Sequence, residues 1–336
     1  GRSDADVGVA LRRERRGLAL LVAIADLAGA WDLAAVTRRL SDFADAACDR
    51  ALAAAIAERS DEPPRGFAII ALGKHGGREL NYSSDIDPIF LFDPATLPRR
   101  ARDEPAEAAV RIGRRLIELL GARTAEGYVF RVDMRLRPSP EVSPVALPVG
   151  AAIGYYESSA LAWEQAAFIR ARAAAGDRAL GQGFLDAVRP FVWRRSLDFG
   201  QLRTIADVSA QIRAHYASGQ RFGPGYDLKR GRGGIREAEF FAQVQQLIHG
   251  GRDPGLRSAD TRMALTALAA AGHVPAAEAA RLAAAYAALR TAEHRVQMLH
   301  DRQTHAIPDD PAERDAAARL DGHADAAAWI AALAPH

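Results

Sequence analysis

Pro63 and Pro64, followed by Gly66, break a chain that otherwise reads as alanine- and leucine-rich helix. A pair of prolines cannot continue a helix interior, because each lacks a backbone donor and its ring crowds the preceding turn. The six residues that follow, Phe67, Ala68, Ile69, Ile70, Ala71 and Leu72, are all apolar and end at Gly73. A short apolar run bounded in this way predicts a buried strand. Further strands are expected at 86–92 and 128–136, with a helix at 104–122, which makes a small mixed α/β core. Before it, residues 7–58 predict two packed helices, with Leu33, Val36, Leu40, Phe43 and Ala47 on one face. From about residue 149 onward the chain reads as helix, with candidates at 151–174, 185–191, 201–218, 235–248, 259–271 and 276–299. The expected class is α+β, mainly α: amino-terminal helices over 1–60, an α/β core over 61–150, and a helical bundle over 151–336.

With 49% hydrophobic residues in 336, such a chain can bury a substantial core. Lys and Arg number 44 against 42 for Asp and Glu, so no global field draws it to nucleic acid or an anionic membrane. Nucleic acid is also disfavoured because no basic stripe is interleaved with aromatics. Cys48 is the only cysteine, which excludes a disulfide framework and points to the cytoplasm, with the thiol as a small buried filler. The basic cluster Arg12, Arg13, Arg15 and Arg16 precedes an apolar stretch, but helix-like sequence continues past it, so a secretory leader is not expected. A solvated helix face is the default for those arginines. The chain opens on Gly1 rather than methionine, which reads as a piece trimmed from something longer.

The segment linking the first two strands carries the chemistry. Gly73, Gly76 and Gly77 form a glycine-rich turn, with Lys74 and Ser84 beside them, and such turns let backbone amides approach a phosphate. Alone this is an ordinary tight turn. Asp85 and Asp87 change that reading, because residues i and i+2 of a strand point to one face and two adjacent carboxylates repel unless a cation neutralises them. Asp133, on the third expected strand, supplies another acid if that strand lies beside the Asp85 strand. Arg131, Arg135 and Arg137 fall on the same strand face as Asp133, where guanidinium groups can meet phosphate. Three aspartates suit Mg²⁺, with Mn²⁺ as a substitute, and a two-metal arrangement suits in-line displacement at phosphorus.

Residues 73–92 are similar to the nucleotidyltransferase signature of the DNA polymerase β superfamily, and more closely to the bifunctional glutamine synthetase adenylyltransferase/adenylyl-removing enzymes. The likeness continues through 131–138, Trp163-Glu164-Gln165 with Arg170 and Arg172, Asp227-Leu228-Lys229, and 233–240. It therefore spans most of the chain. It departs from the usual pattern at His75 and Pro88, where leucine is expected, and Lys74 stands where many superfamily members carry serine. The stretches around Asp133, Gly234 and 250–254 resemble the amino-terminal, adenylyl-removing half, and one acid motif implies one half. The resemblance implies a polymerase-β-like core and phosphorolysis: inorganic phosphate attacks the adenylyl-tyrosine of glutamine synthetase and releases ADP. It also implies the PII signalling protein as a partner. Adenylyl transfer from ATP with the same metals is the alternative, and a catalytically silent domain binding PII or glutamine synthetase is a third reading.

Lys229, Gly233 and Gly234 precede an expected helix and can bind phosphate there or simply form an exposed basic loop. Arg236, Glu237 and Glu239 either support a site or order the helix start. Glu164, Arg170 and Arg172 are supporting candidates that serve equally well as a structural ion-pair cluster. His294, His300 and His305 lack the i, i+4 spacing of a helical zinc pair and are expected to be solvated.

Overall fold

A computed structural model describes residues 4–195, 200, 203 and 221–334. These fall into two units: the described parts of 1–24, 34–80 and 84–192 form the first, and those of 25–33, 81–83 and 193–336 form the second. The longest stretch of the second unit thus starts at residue 193. Apart from residue 203, the expected helix at 201–218 lies outside the described residues.

Helices α1 (Asp4–Leu27) and α2 (Leu33–Ala57) fulfil the expected amino-terminal pair. In the first unit, α2 buries Val36, Leu40, Ala44, Ala47, Cys48, Ala51 and Leu52, a stripe at helical spacing that includes the lone thiol. Burial pushes that thiol far up from its usual range, so it stays protonated. Strand β1 (Phe67–Leu72) is buried along its whole length, as its continuous apolar run requires of a strand paired on both edges. It pairs antiparallel with β2 (Asp87–Phe92) on one side and with β4 (Arg172–Gly176) on the other, while β2 pairs parallel with the short β3 (Ala146–Pro148). The sheet order is β3-β2-β1-β4.

Two expectations are corrected here. The region 151–174 is not one helix: α5 (Val149–Ser158) and α6 (Ala162–Phe168) are followed by β4. Alanine favours helix, yet Ala173–Gly176 completes the ladder along β1, and tertiary pairing overrides propensity. The stretch 128–136 is not a regular strand either. It is irregular, with a single parallel bridge between Val132 and Ile86. The turn after β1 is itself a short helical turn, α3 (Gly73–Gly76).

Helix α4 (Pro105–Gly121) places Gly113 against Phe90 and Val145, and α7 (Arg178–Val192) places Gly181 against Ala173 and Ile70. The sheet is covered through these small residues. Tyr156, Phe168, Phe184 and Phe191 form an aromatic cluster with centroid separations from 4.5 to 6.2 Å.

The second unit is built from α8 (Ile235–His249), α9 (Thr261–Ala270), α10 (Ala276–His300), α11 (Pro311–Leu320) and α12 (Ala326–Leu333). The last two were not anticipated. Both start at an aspartate whose carboxylate accepts an amide of the first turn, Asp310 from Glu313 and Asp325 from Ala328. They close a core around Trp329, Tyr286, Leu228, Ile235 and Ile307. None of the described helices is long and apolar enough to cross a membrane.

Candidate metal and phosphate site

The chain leaves β1 at Leu72 and turns at Gly73, whose φ of 55° lies in the left-handed region that glycine enters without strain. A Cβ at Gly73 would collide with the Asp87 carboxylate, so the glycine also makes room for that acid. Gly76 is pressed against the carbonyls of Ala71 and Arg170, where no side chain fits. The turn is therefore packed tightly by its backbone.

Arg172 holds this turn from β4. Its guanidinium donates to both Asp45 oxygens, at 2.6 and 2.9 Å, and to the carbonyls of His75 and Gly76 at 3.2 and 3.4 Å. His75, fully buried, meets Asp45 Oδ1 at 2.7 Å. Burial pushes the imidazole down from its usual range against the pull of Asp45, so the ring is neutral and Nε2–H donates. Burial disfavours the Asp45 carboxylate, but His75 and Arg172 outweigh it and hold the carboxyl below the usual range. The departure at His75 thus has a partner, and Asp45, which no motif marked, is central to it. Arg170, also buried, pairs with Glu79 at 3.3 Å. Glu164 lies apart from this cluster: its carboxylate accepts the Leu161 amide at 2.7 Å and the Tyr155 hydroxyl at 3.1 Å, and burial raises its carboxyl. It orders the start of α6.

The acids converge through a two-bond junction. Ile86 N–H donates to the Arg131 carbonyl and Asp133 N–H to the Ile86 carbonyl, each at 2.9 Å. Asp133 is thereby held beside Asp85 and Asp87, and one oxygen from each of the three lies within 4.8 Å of the others. Among the described residues this is the one group of three or more His, Cys, Asp or Glu side chains close enough to share an ion. All three are half-buried, and their all-oxygen donor set fits a hard divalent cation such as Mg²⁺ or Mn²⁺. Pro88 is tolerated for a geometric reason. Alternation along the strand points its nitrogen to the same flank as Ile86 N, and there the ladder is interrupted between the bridge at Ile86 and β3 at Phe90.

Arg135 folds back onto Asp133, with its backbone N–H at 2.9 Å from Oδ1 and Nε at 2.9 and 2.8 Å from the two oxygens. That guanidinium holds the Asp133 carboxyl below its usual range. In return Asp133, and to a lesser degree Asp85 and Asp87, raise the guanidinium. Arg135 is otherwise exposed, so it is a cation open to solvent beside the acid cluster. Arg131 donates to Tyr128 at 2.8 Å. Arg137 donates to the carbonyls of Met134, Pro140 and Ser143, at 2.8, 2.6 and 3.3 Å, which makes it a clamp on its own loop. The basic cluster on α1 is a solvated face only in part, with Arg13 and Arg16 exposed. Arg12 is buried and donates to the Ala122 carbonyl, Arg13 and Arg16 pair with Glu126, and Arg15 lies over the Tyr128 ring at 4.5 Å.

Lys229, Gly233, Gly234, Arg236 and Glu239 belong to the second unit. The Asp227 carboxylate accepts the amides of Lys229 and Arg230 at 2.9 and 2.8 Å, so those two amides are turned inward to the loop. Gly234 opens α8 and sits within 3 Å of three loop carbonyls at its Cβ position, which excludes a side chain. Glu239 accepts from Tyr286 at 3.3 Å. Of the three histidines, His300 is exposed against Glu313 as expected. His294 is buried and bonded to Asn81, and His305 meets Glu293 at 2.5 Å.

Comparison with known proteins adds two profile matches and three similar proteins. The sequence profile of the glutamate-ammonia ligase adenylyltransferase family matches residues 2–187, and that of the PII-uridylyltransferase family matches residues 205–334. The chain is 48% identical over 335 residues to the bifunctional glutamine synthetase adenylyltransferase/adenylyl-removing enzyme of Caulobacter vibrioides, covering 96% of this chain and 34% of that protein. It is 48% identical to the protein of the same name from Xanthobacter autotrophicus, and 44% to that from Rhizobium meliloti, each time over 98% of this chain and 35% of the other. The chain thus spans about a third of the length of these relatives. With a profile matched over more than half its length and its acid motif assembled, the chain belongs to the glutamate-ammonia ligase adenylyltransferase family.

Proposed function

We propose that this chain removes the adenylyl group from adenylyl-tyrosine of glutamine synthetase by phosphorolysis, as one half of a longer two-headed enzyme. The observation that carries the reading is the convergence of Asp85, Asp87 and Asp133 beside a glycine turn, with Arg135 at its mouth. In this reading the core is that of a polymerase-β-like nucleotidyltransferase and the setting is cytoplasmic.

Asp85, Asp87 and Asp133 would hold Mg²⁺, in a two-metal arrangement that would supply charge neutralisation at the phosphorus and its oxygens. Arg135 can exchange its carboxylate for a phosphate oxygen, since its side chain is exposed and a guanidinium binds either anion. Gly73, Lys74, Gly76, Gly77 and Ser84 form the wall for the adenylyl phosphate, with Arg172 and Asp45 keeping that wall rigid. Lys229, Gly233 and Gly234 remain candidates for a phosphate. Arg137, clamped on its own loop, is assigned to holding that loop. An oxygen of inorganic phosphate forms the new bond to phosphorus, the bond to the tyrosine oxygen breaks, and that oxygen takes the proton released by the phosphate. The products are ADP and the unmodified subunit. The match to the PII-uridylyltransferase profile supports a link to PII through residues 205–334.

The family description itself favours a second reading, adenylyl transfer from ATP. Incubation with adenylylated glutamine synthetase, Mg²⁺ and inorganic phosphate separates the two. ADP formed only with phosphate is the expected result. Adenylylation of the unmodified enzyme from ATP would replace it with the second reading, and silence in both directions would favour a regulatory domain. Asp85→Asn is expected to abolish turnover while leaving glutamine synthetase binding intact, and unchanged turnover would remove the metal assignment.

A further inference from the structure

Two segments of the first unit bring six arginines together: Arg12, Arg13, Arg15 and Arg16 on α1, and Arg123 and Arg131 in the stretch that leads to Asp133. The buried Arg12 guanidinium ties one segment to the other through the Ala122 carbonyl, at 3.2 and 2.9 Å. One turn along α1, Arg15 lies 4.5 Å from the centre of the Tyr128 ring, and Arg123 and Arg131 reach the same ring at 5.3 and 5.5 Å. The Tyr128 hydroxyl oxygen accepts from Arg131 at 2.8 Å and from Arg15 at 3.4 Å. Carboxylates are few here. Of the two glutamates in these segments, Glu126 is shared by Arg13 and Arg16, and Glu14 pairs with Arg50. Three guanidinium groups around one phenol repel one another, so the arrangement favours an anion for the same reason that three aspartates favour a cation.

The cluster adjoins the acids. The parallel bridge pairs Val132 with Ile86, so alternation puts Arg131, Asp133, Asp85 and Asp87 together on the other face, with Arg131 in register with Asp85 and Asp133 with Asp87. The two ends of the acid row therefore differ. Asp87 lies against the glycine turn at Gly73, whereas Asp85 has Arg131 at its side. Guanidinium forks and a phenol O–H are donors, and together they match a compact oxyanion with several acceptor oxygens. We propose that Arg15, Arg131 and Tyr128 form a seat for inorganic phosphate at the Asp85 end, and that the phosphate held there is the one whose oxygen attacks the adenylyl phosphorus as the tyrosine oxygen leaves. Its role as the attacking group rests on the phosphorolysis reading; the seat itself rests on the arginines and the tyrosine.

The test uses the full chain and two readouts. The first needs neither metal nor turnover: thermal stabilisation by inorganic phosphate without Mg²⁺, compared with sodium chloride at equal ionic strength. Phosphate should stabilise the wild type well beyond chloride. Arg15→Gln and Tyr128→Phe should each raise the half-saturating phosphate concentration about tenfold, the loss expected for one charge-assisted hydrogen bond. Arg123→Gln, a change at an exposed side chain, should raise it by a smaller factor and decides the matter if Arg15→Gln does not fold. The second readout is steady-state release of ADP from adenylylated glutamine synthetase with Mg²⁺. There KM for phosphate should rise in step with the first readout, while KM for the protein substrate holds. A wild-type chain stabilised no more by phosphate than by chloride would overturn the proposal, as would variants that respond to phosphate like the wild type. A phosphate response lost in the variants of a chain that adenylylates from ATP would keep the seat and overturn the phosphorolysis reading instead.

Discussion

Arg172→Met is the most informative single change in the first unit. It deletes two charge-assisted bonds to Asp45 and two bonds to the carbonyls of the glycine turn, and it leaves the Asp45 carboxylate with His75 alone among the partners of that cluster. Removing one member of a fully buried ion pair costs about 3–5 kcal/mol. Here the two side chains retain 19% and 13% exposure, so water screens part of the loss, and the low end, about 3 kcal/mol, applies. For a unit of this size that corresponds to a fall of roughly 6–12 °C in Tm. Native-state amide exchange of β1 measures the loss within the first unit, since its opening free energy is read residue by residue. A double-mutant cycle with Asp45→Asn isolates the pair, and a coupling of about 2 kcal/mol is expected. An opening free energy within about 1 kcal/mol of wild type, or a coupling near zero, would refute the claim that Arg172 holds the turn.

Gly73→Ala should cost about 1–2 kcal/mol through its left-handed backbone and, by displacing the Asp87 carboxylate, weaken Mg²⁺ binding at least about tenfold; a Mg²⁺ titration of thermal stability checks both. In the wild type, Mg²⁺ at about a hundred times its dissociation constant should stabilise the first unit by about 2.7 kcal/mol, and Asp133→Asn should remove most of that shift. Asp45 supplies a pH signature. Its folded carboxyl lies below its unfolded value, so its stabilisation is complete above about pH 4 and is lost as pH falls through the folded value. Acid unfolding of Asp45→Asn should therefore show a shallower loss below about pH 4 than the wild type, as followed by circular dichroism.

The parts of the site that sequence reasoning reached are those encoded over a few residues. The apolar run ending at Gly73 announces β1, and the Asp-Ile-Asp alternation announces two acids on one face. Asp133 was reachable because its strand-like neighbours suggested a pairing, although the pairing is a single bridge and not a strand. Long-range partners carry no such local mark. Asn81 and His294 are 213 residues apart in the chain, and neither implies the other, so a buried histidine reads as a solvated one. Arg172 and Asp45 are separated by 127 residues and fail to announce each other in the same way. β4 was hidden by composition, because Ala173, Ala174 and Ala175 are better helix formers than strand formers and only the waiting edge of β1 decides their state.

The position of β4 bears on how this chain can be shortened. β1 is hydrophobic throughout, and its outer edge is closed by residues 172–176, about a hundred positions downstream. A fragment cut at 150, where composition changes, would keep all three aspartates yet present an open, greasy strand edge to its neighbours, the geometry that seeds edge-to-edge aggregation. Expression trials that stop short of Gly176 should yield inclusion bodies, whereas those running through α7 carry the closing strand and its cover. During synthesis the same edge stays uncapped until Gly176 has left the ribosome, so the acid motif is made well before the sheet that supports it can close.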